Sequence, residues 1–154
     1  MGVEIERKFL VGDLGFLDGF AGIPYRQGYL SADPDRTVRI RRAGERGYVT
    51  IKGRSQGASR AEFEYEIPVA DADEMLALCV PPLIEKVRHR VEHSGRTFEV
   101  DVFAGANEGL VVAEVELPSE DAVVDLPPWI GDEVTGDPRY FNSNLVARPF
   151  RDWD

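Results

Sequence analysis

The sequence predicts a mainly β protein, because charged side chains alternate with other residues along six or seven separate runs. In the first run, Glu4, Glu6 and Lys8 occupy the even positions. Successive side chains of a strand point to opposite faces, so each run would give a strand with one charged face. Turn-forming residues such as Asp33-Pro34-Asp35 and Ser94-Gly95 separate the runs. These observations favour an antiparallel sheet.

Helical patterns are few. Residues 13–20 predict a short helix after the first strand, and residues 71–79 predict an amphipathic helix that Pro81-Pro82 ends. A third helix is predicted to begin near Ser119, where acidic residues follow a capping serine. Three short helices would pack on the apolar strand faces. The charged faces would then line a different part of the structure.

The charges are sorted by sign along the chain. Arg39 and Arg41 share one run, whereas Glu62 and Glu64 share another. Solvated strands usually mix signs, because like charges on one face repel each other. A closed barrel with a charged interior would explain the sorting, with basic strands around an anion and acidic strands around its cations. From the pattern alone, a sheet with its polar face in water is an equally good interpretation.

Composition limits the classes of protein to consider. The 154 residues predict a single domain over 1–154, and 43% hydrophobic with 10% aromatic residues exclude global disorder. A net charge of −10 argues against sequence-independent nucleic-acid binding, although it leaves room for a local phosphate site. The single Cys79, the absence of a signal-like start and the lack of a long apolar stretch predict a cytoplasmic protein that does not enter membranes.

The run Glu4-Ile5-Glu6-Arg7-Lys8 resembles the glutamate-x-glutamate-x-lysine signature of the CYTH, or triphosphate tunnel metalloenzyme, superfamily. Further blocks resemble that family in the same order along nearly the whole chain: 27–30, 37–41, 50–53, 60–68, 83–88, 99–101, 109–117 and 134–142. A lone signature is weak, but the ordered series favours the barrel over the solvated sheet.

The resemblance implies a closed eight-stranded antiparallel β-barrel, open at both ends, with a triphosphate in its tunnel. The side chains expected around the phosphates are Lys8, Arg39, Arg41, Lys52, Lys86 and Arg88. The candidate ligands for two Mg²⁺ or Mn²⁺ ions are Glu4, Glu6, Glu62, Glu64, Asp101, Glu114 and Glu116. The expected catalytic residues are Lys8, Arg41, Glu114 and Glu116.

Several of these candidates have a second interpretation. Glu62 and Glu64 could instead hold the basic side chains in place, and Glu99 has no assigned role. We expect Glu66 and Arg90, at strand ends, to be solvated surface charges. For Tyr29, Tyr140 and Asn142, which fall in family-like blocks, a structural role at a barrel end is as consistent with the sequence as a functional one.

The predicted activity is metal-dependent hydrolysis of a triphosphate. Every inward residue identified from the pattern is charged or small, so we see no aromatic clamp for an organic ring and favour inorganic triphosphate as substrate. The enzymatic alternatives are a class IV-type adenylate cyclase and a thiamine triphosphatase acting on an organic triphosphate, and the non-enzymatic alternative is a polyphosphate-binding module. An outer barrel face that short helices only partly cover is compatible with a homodimer.

Overall fold

The computed structural model describes residues 2–153, which form nine β-strands and two α-helices. The strands are β1 (Gly2–Val11), β2 (Gly22–Ser31), β3 (Arg36–Ala43), β4 (Arg46–Gly53), β5 (Ser59–Ile67), β6 (Ile84–His93), β7 (Arg96–Phe103), β8 (Val111–Glu116) and β9 (Ile130–Glu133). The α-helices are α1 (Val69–Leu76) and α2 (Asn142–Ala147). Short 3₁₀ turns occupy Gly15–Gly19, Gly105–Asn107, Pro138–Tyr140 and Phe150–Asp152.

Eight of the nine strands close into an antiparallel barrel in the order β1-β5-β4-β3-β2-β6-β7-β8. The first half of β1 pairs with β5, where Val3 lies opposite Ala61, and the second half pairs with β8, where Lys8 lies opposite Glu114. The ninth strand, β9, adds to the end of β1 at Val11. The prediction of a closed eight-stranded antiparallel barrel is confirmed, with β9 as an extra strand.

The turn between β6 and β7 confirms the predicted hairpin. Ser94 and Gly95 both have a positive φ, of 51° and 79°. Two-residue turns with positive φ at both positions match the right-handed twist of the flanking strands. This turn fixes the register in which Arg88 lies opposite Asp101.

Two of the three predicted helices are confirmed. The first is a 3₁₀ turn over Gly15–Gly19, and the second is α1, which begins two residues before Asp71. The prediction of a helix from Ser119 is wrong, because residues 118–129 form turns and irregular chain. There, Ala122 and Val124 alternate towards the core as in an extended chain, so their packing overrides the capping signal.

The apolar cores lie mainly outside the barrel. Helix α1 packs Ala72 and Leu76 against Ile40 of β3. On the opposite side, Phe98 packs with Val115 and with Trp129 of the irregular segment. Because these covers bury the outer strand faces, the inner faces are free to carry charge.

One end of the barrel interior is filled by apolar side chains. Ile84 and Val112 lie two residues before the inward-facing Lys86 and Glu114, and they pack with Tyr140 and Leu145 of the C-terminal segment. The interior is therefore polar over only part of its length. The expectation of a tunnel open at both ends does not hold for this part of the barrel, since the C-terminal segment covers it.

Candidate active site

The charged strand faces point into the barrel. Lys8, Arg39, Arg41, Lys86 and Arg88 are all 9% exposed or less. A sheet with its polar face in water would leave them exposed. The structure therefore excludes the solvated-sheet interpretation for these strands.

The inward faces enclose a cavity of about 470 Å³. Nine basic side chains line it, half of the 18 in the chain: Lys8, Arg39, Arg41, Arg46, Lys52, Arg60, Lys86, Arg88 and Arg90. Seven acidic side chains line it too: Glu4, Glu6, Glu62, Glu64, Glu99, Glu114 and Glu116. Basic charge exceeds acidic charge in the cavity although the whole chain carries −10, so this is the part of the molecule suited to an anion.

Two of the six predicted phosphate-binding cations have no carboxylate within ion-pair distance among residues 2–153. Lys8 Nζ donates a hydrogen bond to the Tyr140 carbonyl oxygen at 3.0 Å. Arg41 Nε donates to Gln27 Oε1 at 2.8 Å. Burial, with a smaller effect from the nearby Arg39 and Arg88, lowers the pKa of Arg41 to about 9. A buried cation without a close ion-pair partner is costly, and this holds most strongly for Arg41, whereas Lys8 also interacts at longer range with Glu114; both positions favour a bound anion.

The other cations are paired in the cavity wall. Lys52 Nζ lies 2.9 Å from Glu4 Oε1 and 3.5 Å from Glu62 Oε2. Arg39 Nη2 lies 3.4 Å from Glu64 Oε1, but its buried Nε has no hydrogen-bond acceptor among the described residues. A buried donor without an acceptor again indicates a bound ligand that accepts this hydrogen bond.

Tyr25, which the sequence did not single out, supports two of the arginines. The guanidinium carbons of Arg41 and Arg88 lie 4.8 Å and 4.9 Å from its ring centroid. The ring attracts both like charges through its π electrons. Tyr25 lies two residues before Gln27 and therefore on the same face of β2. A tyrosine at such a position does not by itself predict contact with two arginines.

Asp101 lies behind the cavity wall. Its side chain is fully buried and accepts two hydrogen bonds from Arg88, at 2.7 Å and 2.8 Å. It also forms an ion pair with Lys86 Nζ at 2.7 Å. Burial lowers the pKa of Lys86 to about 7, with Arg88 and Arg41 adding to the shift and Asp101 opposing it. Asp101 thus contacts basic side chains, and it is absent from the residues that line the cavity.

Four cavity glutamates interact in two pairs, Glu6 with Glu114 and Glu4 with Glu62. Burial and the Glu114 carboxylate raise the pKa of Glu6 well above its ordinary value. Burial acts to raise the pKa of Glu114 as well, but Lys8 and a hydrogen bond from Glu6 hold it well below its ordinary value. The pKa values of Glu6 and Glu114 are thus shifted in opposite directions.

The pKa values of the second pair, Glu4 and Glu62, are also shifted in opposite directions. Burial and nearby Glu4 raise the pKa of Glu62 to about 7. Burial opposes the ionisation of Glu4, yet Lys52 and a hydrogen bond from Glu62 lower its pKa. Glu116, which is exposed in the cavity, has a pKa raised by burial and by Glu4.

Replacing Glu62 by Gln is expected to raise the Tm of the metal-free protein at pH 8 and to change it little at pH 5. The pKa of Glu62 is raised from 4.5 to about 7, so its protonated form stabilises the fold below pH 4.5 and this contribution is lost as the pH rises through 7. The amide of the Glu62→Gln variant keeps a donor to Glu4 at every pH. Thermal melts in chelator at both pH values test this, with the exposed Glu66→Gln as control. An equal Tm difference at both pH values would contradict it.

The structure corrects the expectation that no aromatic ring faces the interior. Tyr25, Tyr29, Tyr48 and Phe141 all line the cavity. Tyr25 and Tyr29 are 7% and 5% exposed, so their rings are already covered, whereas Tyr48 and Phe141 are half-buried. The argument for inorganic triphosphate from missing aromatics therefore no longer holds, and the preference must come from other observations.

No helix within residues 2–153 is long and apolar enough to cross a membrane. Within the same residues, no three His, Cys, Asp or Glu side chains form a group ready to hold a metal ion. The acidic groups of the cavity are instead arranged as the two pairs described above.

Comparisons with known proteins identify the family of the chain. The model of the CYTH domain matches residues 2–150. An inorganic triphosphatase of Acetivibrio thermocellus is 54% identical over 154 residues, covering 99% of each chain. An inorganic triphosphatase of Nitrosomonas europaea is 42% identical over 148 residues, covering 93% of this chain and 96% of that protein. The crystal structure of the inorganic triphosphatase NE1496 superposes with a TM-score of 0.68 at 38% identity, covering 95% of both chains. The chain belongs to the CYTH domain family.

Proposed function

We propose that this protein hydrolyses inorganic triphosphate to pyrophosphate and phosphate inside the barrel cavity. The observation that carries the proposal is the burial of Lys8 and Arg41 in that cavity, each without a carboxylate within ion-pair distance among the described residues. Two relatives of 54% and 42% identity are named inorganic triphosphatases, which supports this substrate.

The basic side chains bind the phosphate oxygens in this proposal. Arg39 and Arg41 offer forked guanidinium donors that match phosphate geometry, and Lys8 adds a compact positive charge. Lys52, Lys86 and Arg88 extend the basic lining of the cavity, although each is already paired with an acidic side chain. Phosphoryl transfer needs chiefly this kind of charge neutralisation and positioning.

The acidic lining fits divalent cations such as Mg²⁺ or Mn²⁺. Carboxylate oxygens are the hard donors these ions prefer, and Mg²⁺ is commonly held by one or two carboxylates together with substrate phosphates. The pairs Glu6 with Glu114 and Glu4 with Glu62 have this form. Glu116 supplies a further carboxylate in the same cavity, and Glu64 lies beside Arg39. Bound cations supply charge neutralisation on the phosphates and acidify a nearby water.

We assign Asp101 a supporting role instead of metal binding. Its two oxygens are engaged by Arg88 and Lys86 at 2.7–2.8 Å, and it does not line the cavity. Asp101 thereby fixes two of the phosphate-binding side chains in the wall between β6 and β7.

The bond changes are those of a phosphoanhydride hydrolysis. A water oxygen bonds to a terminal phosphorus while the P–O bond to the bridging oxygen breaks, and that oxygen leaves on pyrophosphate. Glu116 lines the cavity, and burial and Glu4 raise its pKa, which makes it the better proton acceptor for the attacking water. Lys8 and Arg41 stabilise the charge that develops on the phosphoryl oxygens.

A substrate panel tests the proposal. The purified protein is incubated with Mg²⁺ or Mn²⁺ and with tripolyphosphate, ATP or thiamine triphosphate, and phosphate, pyrophosphate and cyclic AMP are measured. We expect tripolyphosphate to give the highest kcat/KM. Cyclic AMP formation would identify a cyclase, faster hydrolysis of thiamine triphosphate an organic triphosphatase, and binding without turnover a polyphosphate-binding module.

Activity is expected to require an added divalent metal and to stop in excess chelator. Carboxylate ligation of Mg²⁺ is weak, so the ion should exchange freely with solution. Phosphate release from tripolyphosphate is measured in chelator and after Mg²⁺ or Mn²⁺ is restored. Full turnover in chelator would contradict the role given to the acidic residues.

A further inference from the structure

Two neutral amide side chains connect the basic residues of the cavity to the C-terminal segment. Gln27 on β2 is completely buried, and its Oε1 accepts the hydrogen bond from Arg41 Nε at 2.8 Å. Gln27 Nε2 donates to Asn142 Oδ1 at 3.1 Å. The same Asn142 oxygen accepts a hydrogen bond from Lys86 Nζ at 3.2 Å. Asn142 is the first residue of α2, which follows the turn at Pro138–Tyr140.

The direction of these hydrogen bonds is fixed from the Arg41 end. Arg41 can only donate, so Gln27 must turn its oxygen to Arg41 and its nitrogen to Asn142, and Asn142 must then present the oxygen that also accepts from Lys86. The Gln27 amide nitrogen is then left to donate to that same Asn142 oxygen. Rotating either amide by 180° would place a donor against a donor. The two amides therefore hold each other, as well as the cations, in one orientation.

Neutral acceptors hold a cation without cancelling its charge. Asp101 pairs with Arg88, and Glu64 with Arg39, so those cations already have partial counter-charges. Arg41 is held through Nε by an uncharged oxygen, and none of the hydrogen bonds of the described residues involves its two Nη atoms. Arg41 consequently keeps its full charge and both Nη groups for an anion in the cavity.

We propose that Gln27 and Asn142 are positioning residues that orient Arg41 and Lys86 towards the bound triphosphate. This inference rests on the proposed function, because it assumes that Arg41 acts on the triphosphate. It gives the C-terminal segment a part in the reaction beyond covering the barrel end, since one oxygen of that segment contacts β2 and β6 and reaches Arg41 of β3 through Gln27.

The test compares Gln27→Met in two backgrounds. Methionine keeps the length of the side chain and removes the oxygen that receives Arg41. In the wild-type background we expect kcat/KM for tripolyphosphate to fall about tenfold to a hundredfold, as is usual when a supporting hydrogen bond of a functional group is lost. The relative changes in kcat and in KM should match those measured for Arg41→Ala. In the Arg41→Ala background, Gln27→Met should lower kcat/KM by less than about twofold, because the group that it orients is gone.

Asn142→Ala is the second variant, and Asn144→Ala is its matched control. Asn144 lies in the same helix and donates to the Pro138 carbonyl oxygen at 2.7 Å, without contact to a basic residue of the cavity. We expect Asn142→Ala to lower kcat/KM by about tenfold or more and Asn144→Ala to leave it within about twofold, with each folded state checked by its thermal melt.

The outcomes separate the two proposals. Equal losses from Gln27→Met in both backgrounds, or equal activities of Asn142→Ala and Asn144→Ala, would overturn the positioning role. If Arg41→Ala itself keeps full activity, the role of Arg41 fails and the positioning role fails with it, whereas the proposed function is overturned only if the wild-type protein does not hydrolyse tripolyphosphate. Should Gln27→Met not fold, the comparison of the two asparagine variants decides the question alone.

Discussion

Arg41→Ala and Lys8→Ala are each expected to lower the turnover of tripolyphosphate about a hundredfold to a thousandfold. Both side chains lie buried in the cavity, and neither has a carboxylate partner within ion-pair distance in residues 2–153. Their charge is therefore available to the phosphoryl oxygens as negative charge develops there. Steady-state phosphate release, with kcat and KM separated, measures the loss.

The fold should survive both substitutions. Removing a buried cation without a close ion-pair partner also removes a desolvation cost, and in Lys8→Ala this offsets the lost attraction to Glu114, so we expect no large fall in Tm. Arg26→Ala and Arg7→Ala are suitable controls, because Arg26 is exposed and Arg7 pairs with Glu133 outside the cavity. Near-normal turnover in Arg41→Ala or Lys8→Ala with a normal melt would show that these inward cations do not act on the substrate.

The alternation of the sequence predicted the strand faces but could not decide what they face. Glu62 and Glu64 would show the same pattern on a solvated sheet and inside a barrel, because periodicity specifies a face and not its surroundings. Closure depends on β1 pairing with β5, where Gly2 lies opposite Glu62, a contact between residues far apart in the chain. The family-like order of blocks supplied that information, whereas the pattern alone did not.

Within the site, the sequence pattern groups residues by charge but does not show which side chains pair with each other. Asp101 and Glu99 fall on the same face of β7, and the sequence placed Asp101 among the candidate metal ligands while Glu99 had no assigned role. The structure distinguishes them, because Asp101 is fully buried against Lys86 and Arg88 while Glu99 lines the cavity. Burial at that depth depends on how β6 packs beside β7 and on the apolar end of the barrel, which a local pattern does not encode.

Among the neutral members of the site, Gln27 and Tyr25 were missed for a related reason, and Asn142 was named only with a structural or a functional role left open. Gln27 and Tyr25 fall on the inward face of β2, but β2 carries no inward charge to mark that face. Asn142 lies beyond the strands, in a helix that the sequence did not predict. Its relation to Lys86 arises only when the C-terminal segment folds over the barrel end. Alternating charge in the sequence identifies the charged residues of the site well, but it does not identify the neutral residues that hold them in place.

Glu114→Gln and Glu116→Gln are expected to nearly abolish hydrolysis while weakening tripolyphosphate binding much less than Arg41→Ala does. The amide keeps the size of each side chain but removes the charge that would hold a cation and, at Glu116, the base for the water proton. The basic side chains remain. Glu114 lies 3.8 Å from Arg88, so its replacement leaves that cation more available to an anion.

Calorimetric titration with tripolyphosphate beside a phosphate-release assay separates binding from hydrolysis in these variants. Glu66→Gln is the matched control, since Glu66 is more than half exposed beside Arg46 and is not among the residues that line the cavity. Glu114→Gln should also show a weaker dependence of binding on added Mg²⁺, because one carboxylate of the Glu6 pair is lost. Retained hydrolysis in both variants would mean that these carboxylates serve only to balance the charge of the basic strands, and the metal-dependent mechanism would then need a different set of ligands.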